Sequence, residues 1–519
     1  MNVLFIMADQ LRWDHLGCAG HPYLKTPNLD ALAARGVRFA NAFVNSGVCG
    51  PSRMSYYTGR YPVSHGATWN RVPLSVGEVT LGEMLRGAGL SLALAGKTHV
   101  MPDHQGLARL QLEGGSELAT LLERGGFEEI DRYDGHHKPG AESGYPAYLR
   151  AHGYDGDDPW SEHVIAAIDA HGERVSGWHM RNVHLPARVQ ERHSETAYMT
   201  DQALGFVDRM GSRPWVLHLS YVKPHWPYMA PAPYHAMYTA DHCLPVKRHA
   251  SERPHRHRVV AAYQQHEESL SFQRDDCIRT VRPAYQGLIT QLDHHLGRLF
   301  EHLEQRGVAD ETLIVFTADH GDFLGDHWLG EKELFHDTVQ KVPFIVSDPR
   351  PAADVTRGQV LAPFVESVDL VPTVLDTLGL PAPTHRLEGR SLLPLLHGAG
   401  TPAGWRGSSY SELDYSWRQA RLLLGKTDVQ RCRAFSLRTP RWRYVYWLDE
   451  AEQLFDLQAD PDEFHDLGQD AGTTTVREAL RTELLAFLAA RQHRTTVSDA
   501  QVLAGTAQHK RAGVFFGQW

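Results

Sequence analysis

Short apolar runs that alternate with helical segments constrain the fold of this chain more than any other feature. The runs are apolar at nearly every position and lie at residues 3–7, 91–95, 215–220, 313–316 and 342–346. Strands of a parallel sheet have this pattern, because helices cover both of their faces. Residues 284–304, in contrast, carry leucines near helical spacing. The alternation predicts an α/β fold in which a large, mostly parallel sheet is sandwiched by helices.

The length of the chain predicts a second, smaller domain. At 519 residues the chain exceeds the size at which a single hydrophobic core usually stops growing. Near its end, residues 441–447 alternate like a half-buried strand, and residues 480–491 look helical. We expect a large α/β domain over residues 1–400 and an α+β domain over residues 401–519, with an antiparallel sheet, a helix and a tail.

Composition excludes several classes of protein. The formal net charge is −10 and no block of basic residues occurs, so we expect no nucleic-acid partner. The five cysteines, at positions 18, 49, 243, 277 and 432, are too far apart for a disulfide framework or a C-x-x-C metal site. No apolar stretch reaches the ~18 residues of a membrane span, and the first residues lack the basic segment of a signal peptide. We expect a cytoplasmic protein that binds no membrane.

Polar side chains follow two of the predicted strands. Asp9 and Gln10 come directly after the first strand, and Asp319 and His320 follow the strand at residues 313–316. Open α/β sheets place function at the carboxyl ends of their strands. One such residue alone is usually a helix cap or part of a turn. Together they predict a metal site, and oxygen donors with one imidazole suit Ca²⁺, Mg²⁺ or Mn²⁺, with the imidazole favouring Mn²⁺.

A single cysteine stands in the segment Cys49-Gly50-Pro51-Ser52-Arg53, which is followed by Thr58-Gly59-Arg60. Pro51 suits the first turn of a helix. Ser52 and Arg53 would then lie where the N–H groups of a helix start favour an anion. A lone cysteine is usually a buried structural residue, so the segment alone leaves both interpretations open.

Several elements in the same order resemble those of the sulfatase family, within the alkaline phosphatase-like superfamily. They are Cys49-Gly50-Pro51-Ser52-Arg53 with Thr58-Gly59-Arg60, Gly96-Lys97-Thr98-His99, Lys223-Pro224-His225-Trp226-Pro227, Gly330-Glu331-Lys332 and Leu454-Phe455-Asp456-Leu457. The resemblance covers residues 1–470. Gln10 and His320 look most like the choline-sulfatase and phosphonate monoester hydrolase branch, since commoner arylsulfatases have Asp and Asn at these two places.

The resemblance implies a modification, a metal and a role for each site residue. A maturation enzyme would oxidise Cys49 to formylglycine, whose hydrate is the nucleophile of the family. One divalent ion, Ca²⁺ or Mn²⁺, would be bound by Asp9, Gln10, Asp319 and His320. The remaining catalytic residues would be Arg53, Lys97, His99, His225 and Lys332. Asn70 aligns with an active-site asparagine of the phosphonate monoester hydrolases and would bind substrate.

The implied function is hydrolysis of sulfate monoesters of aryl or small alkyl alcohols, with additional phosphonate or phosphodiester activity. Arg53, Lys97, Lys332 and a metal would stabilise a small anionic ester, whereas a neutral substrate would gain little from them. The alternative is a phosphonate monoester hydrolase or phosphodiesterase, which Asn70 and the Asp-Gln, Asp-His set favour. A non-catalytic relative would show a substituted cysteine or a lost ligand, and neither is seen. Related enzymes imply a homodimer or homotetramer.

Overall fold

The architecture was obtained as a computed structural model that describes residues 1–135, 143–253 and 257–517. Strands of the described residues, in chain order, are β1 Asn2–Asp9, β2 Val37–Phe43, β3 Leu92–Gly96, β4 Phe127–Arg132, β5 Ala166–Ile168, β6 Arg174–Ser176, β7 Val216–Pro224, β8 Thr312–Ala318, β9 Phe344–Ser347, β10 Val360–Glu366, β11 Ser409–Asp414, β12 Arg433–Arg438, β13 Trp442–Trp447 and β14 Gln453–Asp456. The apolar runs of the sequence therefore form strands, as predicted.

The large sheet has the order β10-β2-β9-β8-β1-β7-β3-β4 in the described part of the chain. Its neighbouring strands are parallel, except that β9 runs antiparallel to both β2 and β8. The predicted α/β class, a large and mostly parallel sheet, is confirmed. Every residue of the central strand β1 is buried, which explains why its sequence shows no polar alternation.

Helices cover the sheet. Their bounds in the described residues are α1 Pro27–Ala34, α2 Cys49–Thr58, α3 Pro62–His65, α4 Leu81–Gly87, α5 His104–Arg109, α6 Glu117–Glu123, α7 Tyr145–Ala151, α8 Glu195–Met210, α9 Arg258–Tyr263, α10 Glu267–Phe272, α11 Asp275–Gln305, α12 Asp337–Gln340, α13 Leu370–Thr377, α14 Leu393–Leu396, α15 Gln419–Leu423, α16 Thr474–Ala489 and α17 Asp499–Gly505. Both α8 and α11 pack against β7. None of the helices in the described ranges combines the length and the apolar character that a membrane crossing requires.

A second, antiparallel sheet follows in the order β11-β12-β13-β14, and α16 packs on β12 and β13. This sheet lies against the large one: the Glu412 N–H donates to the Asn45 carbonyl oxygen at 2.9 Å, and the Asn45 side chain donates to the Tyr410 carbonyl at 2.8 Å. The smaller C-terminal sheet is thus present, while the boundary at residue 400 stays a prediction.

The strand order decides which loops meet. Since β8, β1, β7 and β3 are neighbours and parallel, their carboxyl ends lie at one edge of the sheet. The residues that follow these ends are Asp319, Gln10, His225 and Lys97. Helix α2 begins at the same edge with Cys49. The topology therefore gathers residues from five segments of the chain.

Candidate active site

Cys49 lies at the centre of a buried polar cluster. Its Sγ is 3.1 Å from His320 Nε2, 3.1 Å from Lys332 Nζ, 3.9 Å from Asp9 Oδ1 and 4.0 Å from Lys97 Nζ. All residues of α2 are buried, and the Val48 carbonyl accepts from the Ser52 N–H at 3.0 Å. The first turn of this helix thus presents Cys49 to four side chains from other segments of the chain.

Two carboxylates and one imidazole lie close enough to Cys49 and to one another to hold a metal ion. One ligand atom from each of Asp9, Cys49, Asp319 and His320 lies within 4.8 Å of the others. Gln10 is adjacent: its N–H donates to Asp319 Oδ1 at 3.0 Å, and its Oε1 accepts from Lys332 Nζ at 3.1 Å. This buried set of carboxylate and amide oxygens with one imidazole nitrogen fits a divalent cation.

Arg53 connects the cluster to the ends of two strands. Its Nε donates to Asp319 Oδ2, and its Nη1 donates to the Lys97 carbonyl and to Ser220 Oγ, each at 2.8 Å. Its Nη2 lies 3.5 Å from Asp9 Oδ2 but has no hydrogen-bond partner among the described residues. A fully buried donor without a hydrogen-bond partner is unusual.

The electrostatics keep Asp9 ionised and the Cys49 thiol neutral. Burial by itself would raise the pKa of Asp9, but Lys97, His225 and Arg53 hold it well below its usual range. Burial raises the pKa of the Cys49 thiol to about 11, although Lys332 and Lys97 oppose this. At neutral pH the unmodified side chain is therefore a thiol, which is a poor nucleophile.

Lys332 remains a cation despite its burial. Burial would lower its pKa, but Cys49, Glu331 and Asp9 raise it above the usual value for lysine. Its Nζ also lies 3.3 Å from His225 Nε2. Lys97, on the other side of the cluster, forms a buried ion pair with Asp9 Oδ2. Two ammonium groups thus approach the Cys49 Sγ from different segments.

His225 is held with one nitrogen toward the cluster. Its Nδ1 lies 2.6 Å from the Trp226 carbonyl oxygen, an arrangement in which Nδ1–H donates to that oxygen and Nε2 points to Lys332. The loop is fixed by Lys223, whose Nζ donates to the Pro227 carbonyl and pairs with Glu195, each at 2.9 Å. The predicted His225 therefore reaches the cluster from the end of β7.

His99 and Asn70 lie at the margin of the cluster. Burial, followed by the charges of Lys97 and Arg53, lowers the pKa of His99 well below its usual value, so this imidazole is neutral near pH 7. The Asn70 Oδ1 accepts from the Gly50 N–H at 2.7 Å and so contacts the first turn of α2. Among the described residues, His99 is not one of the four whose ligand atoms group around Cys49.

Two acids that support the site, Asp322 and Asp134, are not among the residues predicted from the sequence. Asp322 Oδ2 accepts from Gln10 Nε2 at 2.5 Å and from the Tyr228 hydroxyl at 2.6 Å. Asp134 Oδ1 accepts from the N–H groups of Thr98 and His99 at 2.8 and 3.3 Å. Asp322 lies shortly after the end of β8, in the segment of Asp319, and Asp134 lies shortly after the end of β4. These positions beside strand ends were the sequence signal that could have identified both acids.

Two family models and several known proteins match this chain, together over most of its length. The family model described as "Sulfatase" matches residues 1–380, and "N-sulphoglucosamine sulphohydrolase, C-terminal" matches residues 325–490. The chain is 34% identical to the multifunctional alkaline phosphatase superfamily protein PehA of Trinickia caryophylli, over 90% of this chain and 91% of that protein. It is 29% identical to choline-sulfatase of Rhizobium meliloti, over 90% and 82%.

Solved structures agree with this result. Phosphonate monoester hydrolase SpPMH from Silicibacter pomeroyi superposes with a TM-score of 0.84 at 30% identity, covering 95% of this chain and 96% of that one. The phosphonate monoester hydrolase of Agrobacterium radiobacter superposes with a TM-score of 0.80 at 28% identity, covering 94% and 95%.

Proposed function

The chain belongs to the sulfatase family, a group of sulfuric ester hydrolases, and we propose that it cleaves sulfate monoesters of aryl or small alkyl alcohols. Phosphonate monoesters and phosphodiesters are secondary substrates in this proposal. The observation that carries it is the convergence of cations on Cys49: Lys332 Nζ lies at 3.1 Å and Lys97 Nζ at 4.0 Å, and Arg53 Nη2 lacks a hydrogen-bond partner in the described residues. Such donors stabilise a tetrahedral anion in a water-excluded site.

Cys49 supplies the nucleophile after oxidation to formylglycine. The unmodified thiol is a poor candidate, because burial raises its pKa to about 11. The hydrate of the aldehyde provides two hydroxyl groups on one carbon, one for attack and one for release of the product. A formylglycine-generating maturation enzyme is therefore a required partner.

The remaining residues bind the anion and move protons. Arg53 and Lys97 hold the non-bridging oxygens of the ester. His225 or Lys332, whose nitrogens lie 3.3 Å apart, donates a proton to the leaving alcohol. His99, which is neutral because burial and nearby cations lower its pKa, accepts a proton when the product is released. Asn70 binds substrate beside the first turn of α2.

The metal would be held by Asp9, Gln10, Asp319 and His320. When bound, the ion would act as a Lewis acid that favours the ionised nucleophile and offsets the charge of the ester. Ca²⁺ and Mn²⁺ both suit this oxygen-rich set, and the imidazole of His320 favours Mn²⁺. Asp9 is prepared for this role, because Lys97 and its other cationic neighbours keep it ionised in spite of burial.

A second candidate function is hydrolysis of phosphonate monoesters or phosphodiesters as the main activity. The likeness to the two phosphonate monoester hydrolases favours it, as does the contact of Asn70 with Gly50. Tetrahedral sulfuryl and phosphoryl groups suit the same cationic site, so the two functions differ in preference rather than in machinery.

Cellular context and assembly complete the proposal. The enzyme works in the cytoplasm on a small anionic ester, as a homodimer or homotetramer. The lack of a basic block in the sequence, whose net charge is −10, argues against a nucleic-acid partner.

Steady-state kinetics of the fully matured enzyme distinguish the two candidate functions. We expect kcat/KM to be highest for an aryl sulfate among a sulfate, a phosphonate and a phosphodiester that share one leaving group. A higher kcat/KM for the phosphonate or the diester would assign the second function, and no turnover of any of the three would contradict both.

A further inference from the structure

The backbone around Lys332 is held in a conformation that its residue types disfavour. Glu331 and Glu333, on either side of Lys332, have φ values of +59° and +96°. Side chains other than glycine rarely adopt left-handed backbone, and they keep it only where surrounding contacts enforce it. Glu333 is buried, with 3% of its surface exposed, and Glu331 is partly buried. Contacts with neighbouring segments must therefore hold residues 331–333 in this conformation.

Backbone contacts hold Glu331 and Glu333 from two directions. The Glu331 carbonyl accepts from the Phe323 N–H at 2.6 Å. Glu333 forms an antiparallel bridge with Gly47, two residues before Cys49, and a Cβ added at Gly47 would lie 3.0 Å from the Glu333 carbonyl oxygen. A shift of Glu333 would therefore move the backbone of Lys332 and the approach to Cys49 together.

Arg418 is the cation that faces these acids from the C-terminal part of the chain. It precedes α15, between β11 and β12, and its Nε pairs with Glu333 Oε1 at 3.0 Å. Its Nη2 forms an ion pair with Glu268 of α10. Its charge also opposes the burial that raises the pKa of Glu331 to about 7. Three acids, Glu268, Glu331 and Glu333, thus share one arginine.

We propose that Arg418 is a positioning residue for hydrolysis, acting through Glu333 on Lys332 and on the segment before Cys49. The inference rests on the proposed function in assigning Lys332 to the reaction. Without Arg418, Glu333 would lose the ion pair that holds its side chain. The strained backbone of residues 331–333 would then relax and move the Lys332 ammonium, which now lies 3.1 Å from Cys49 Sγ. The lysine would then be misplaced for contact with the leaving group.

A double-mutant cycle tests this coupling on matured enzyme. Arg418→Met should lower kcat about 10- to 30-fold, in the range of coupling between residues of one charged network, while KM changes little. Arg418→Lys should restore part of the loss, since it keeps the charge but not the guanidinium fork. In a Lys332→Ala background Arg418→Met should cost less than about twofold, because the residue it positions is gone.

A matched control separates positioning from general stability. Arg433→Met removes another ion pair of the C-terminal sheet, with Glu412 at 2.8 Å, and should leave kcat near wild type. If Arg418→Met fails to fold, Glu333→Gln provides the same cycle with a near-isosteric change. Equal losses in the wild-type and Lys332→Ala backgrounds would overturn the inference, and so would full activity of Lys332→Ala.

Leaving-group dependence gives a second readout that does not need the Lys332→Ala enzyme. Because a misplaced Lys332 assists the departing alcohol less, Arg418→Met should lose more activity on esters of weakly acidic phenols than on esters of strongly acidic ones. A uniform loss across the series would contradict the inference. A wild-type enzyme that cleaves no member of the series would instead contradict the proposed function.

Discussion

The guanidinium of Arg53 makes several contacts that one ammonium cannot reproduce, so Arg53→Lys separates geometry from charge. The arginine donates to Asp319 Oδ2, the Lys97 carbonyl and Ser220 Oγ, each at 2.8 Å. Lysine keeps the charge but would lose about two of these bonds, which predicts a loss of about 2–4 kcal/mol in the free energy of unfolding.

The same substitution removes the Nη2 donor, which has no hydrogen-bond partner in the described residues. Loss of one donor to a developing anion costs about 2.7–4 kcal/mol, or a factor of about 10²–10³. We therefore expect kcat/KM for an aryl sulfate to fall by that factor. Since Arg53 belongs to the segment that resembles the maturation signature, kcat/KM must be divided by the formylglycine fraction, measured by mass spectrometry.

Arg60→Lys is the matched control for this substitution. Arg60 is also buried, and its fork contacts Glu78 at 2.6 Å and the Gln492 carbonyl at 2.9 Å, groups outside the Cys49 cluster. Its replacement should lower stability similarly and leave kcat/KM of the matured enzyme nearly unchanged. A kcat/KM for Arg53→Lys within about threefold of wild type, per matured molecule, would refute the assignment of Nη2 to the anion.

Three further predictions concern the metal, the sulfate preference and the fold. Asp9→Ala, Asp319→Ala and His320→Ala should each lower bound metal and kcat together; unchanged turnover after chelation would argue against the metal site. Lys97→Ala should lower kcat/KM for an aryl sulfate roughly 30–1,000-fold, which corresponds to about 2–4 kcal/mol of transition-state stabilisation. Lys97→Ala and His99→Ala should both lower kcat/KM less for a phosphonate than for a sulfate. Equal losses on the two substrates would show that Lys97 and His99 carry no sulfate preference. Gly96→Ala should lower the free energy of unfolding, measured by urea denaturation, by at least about 3 kcal/mol. The reason is that the added Cβ would lie 1.9 Å from the Ser220 carbonyl oxygen, on a backbone with a φ of +111°. Gly87→Ala should cause no such loss, because nothing lies within 4 Å of an added Cβ there.

The hydropathy pattern predicted the fold class correctly, but it did not predict the direction of every strand. Residues 342–346 were predicted as a strand, and β9 Phe344–Ser347 is one, yet it runs antiparallel to its neighbours. A continuous apolar run indicates burial on both faces and carries no direction. Similarly, the helix predicted for residues 284–304 begins earlier, at Asp275, and continues through Pro283, because tertiary packing outweighs the local cost of proline.

For the site, too, features that depend on neighbouring residues were predicted, whereas contacts between distant segments were not. Asp9, Gln10, Asp319 and His320 were predicted because each lies at or just after the end of a buried strand, and the structure brings them to the Cys49 cluster. The pair of Arg418 with Glu333 could not be predicted, since it joins a loop of the large sheet to the C-terminal part of the chain. The left-handed backbone of Glu331 and Glu333 could not be predicted either, since neither residue is a glycine.

The mass of the peptide that contains residue 49 tests the central claim most directly. Protein that turns over an aryl sulfate should be digested and analysed by mass spectrometry, with Cys49→Ala protein as the inactive, folded control. We predict a peptide about 18 Da lighter than the cysteine form, in proportion to specific activity. Active protein whose Cys49 remains an unmodified thiol would contradict the account.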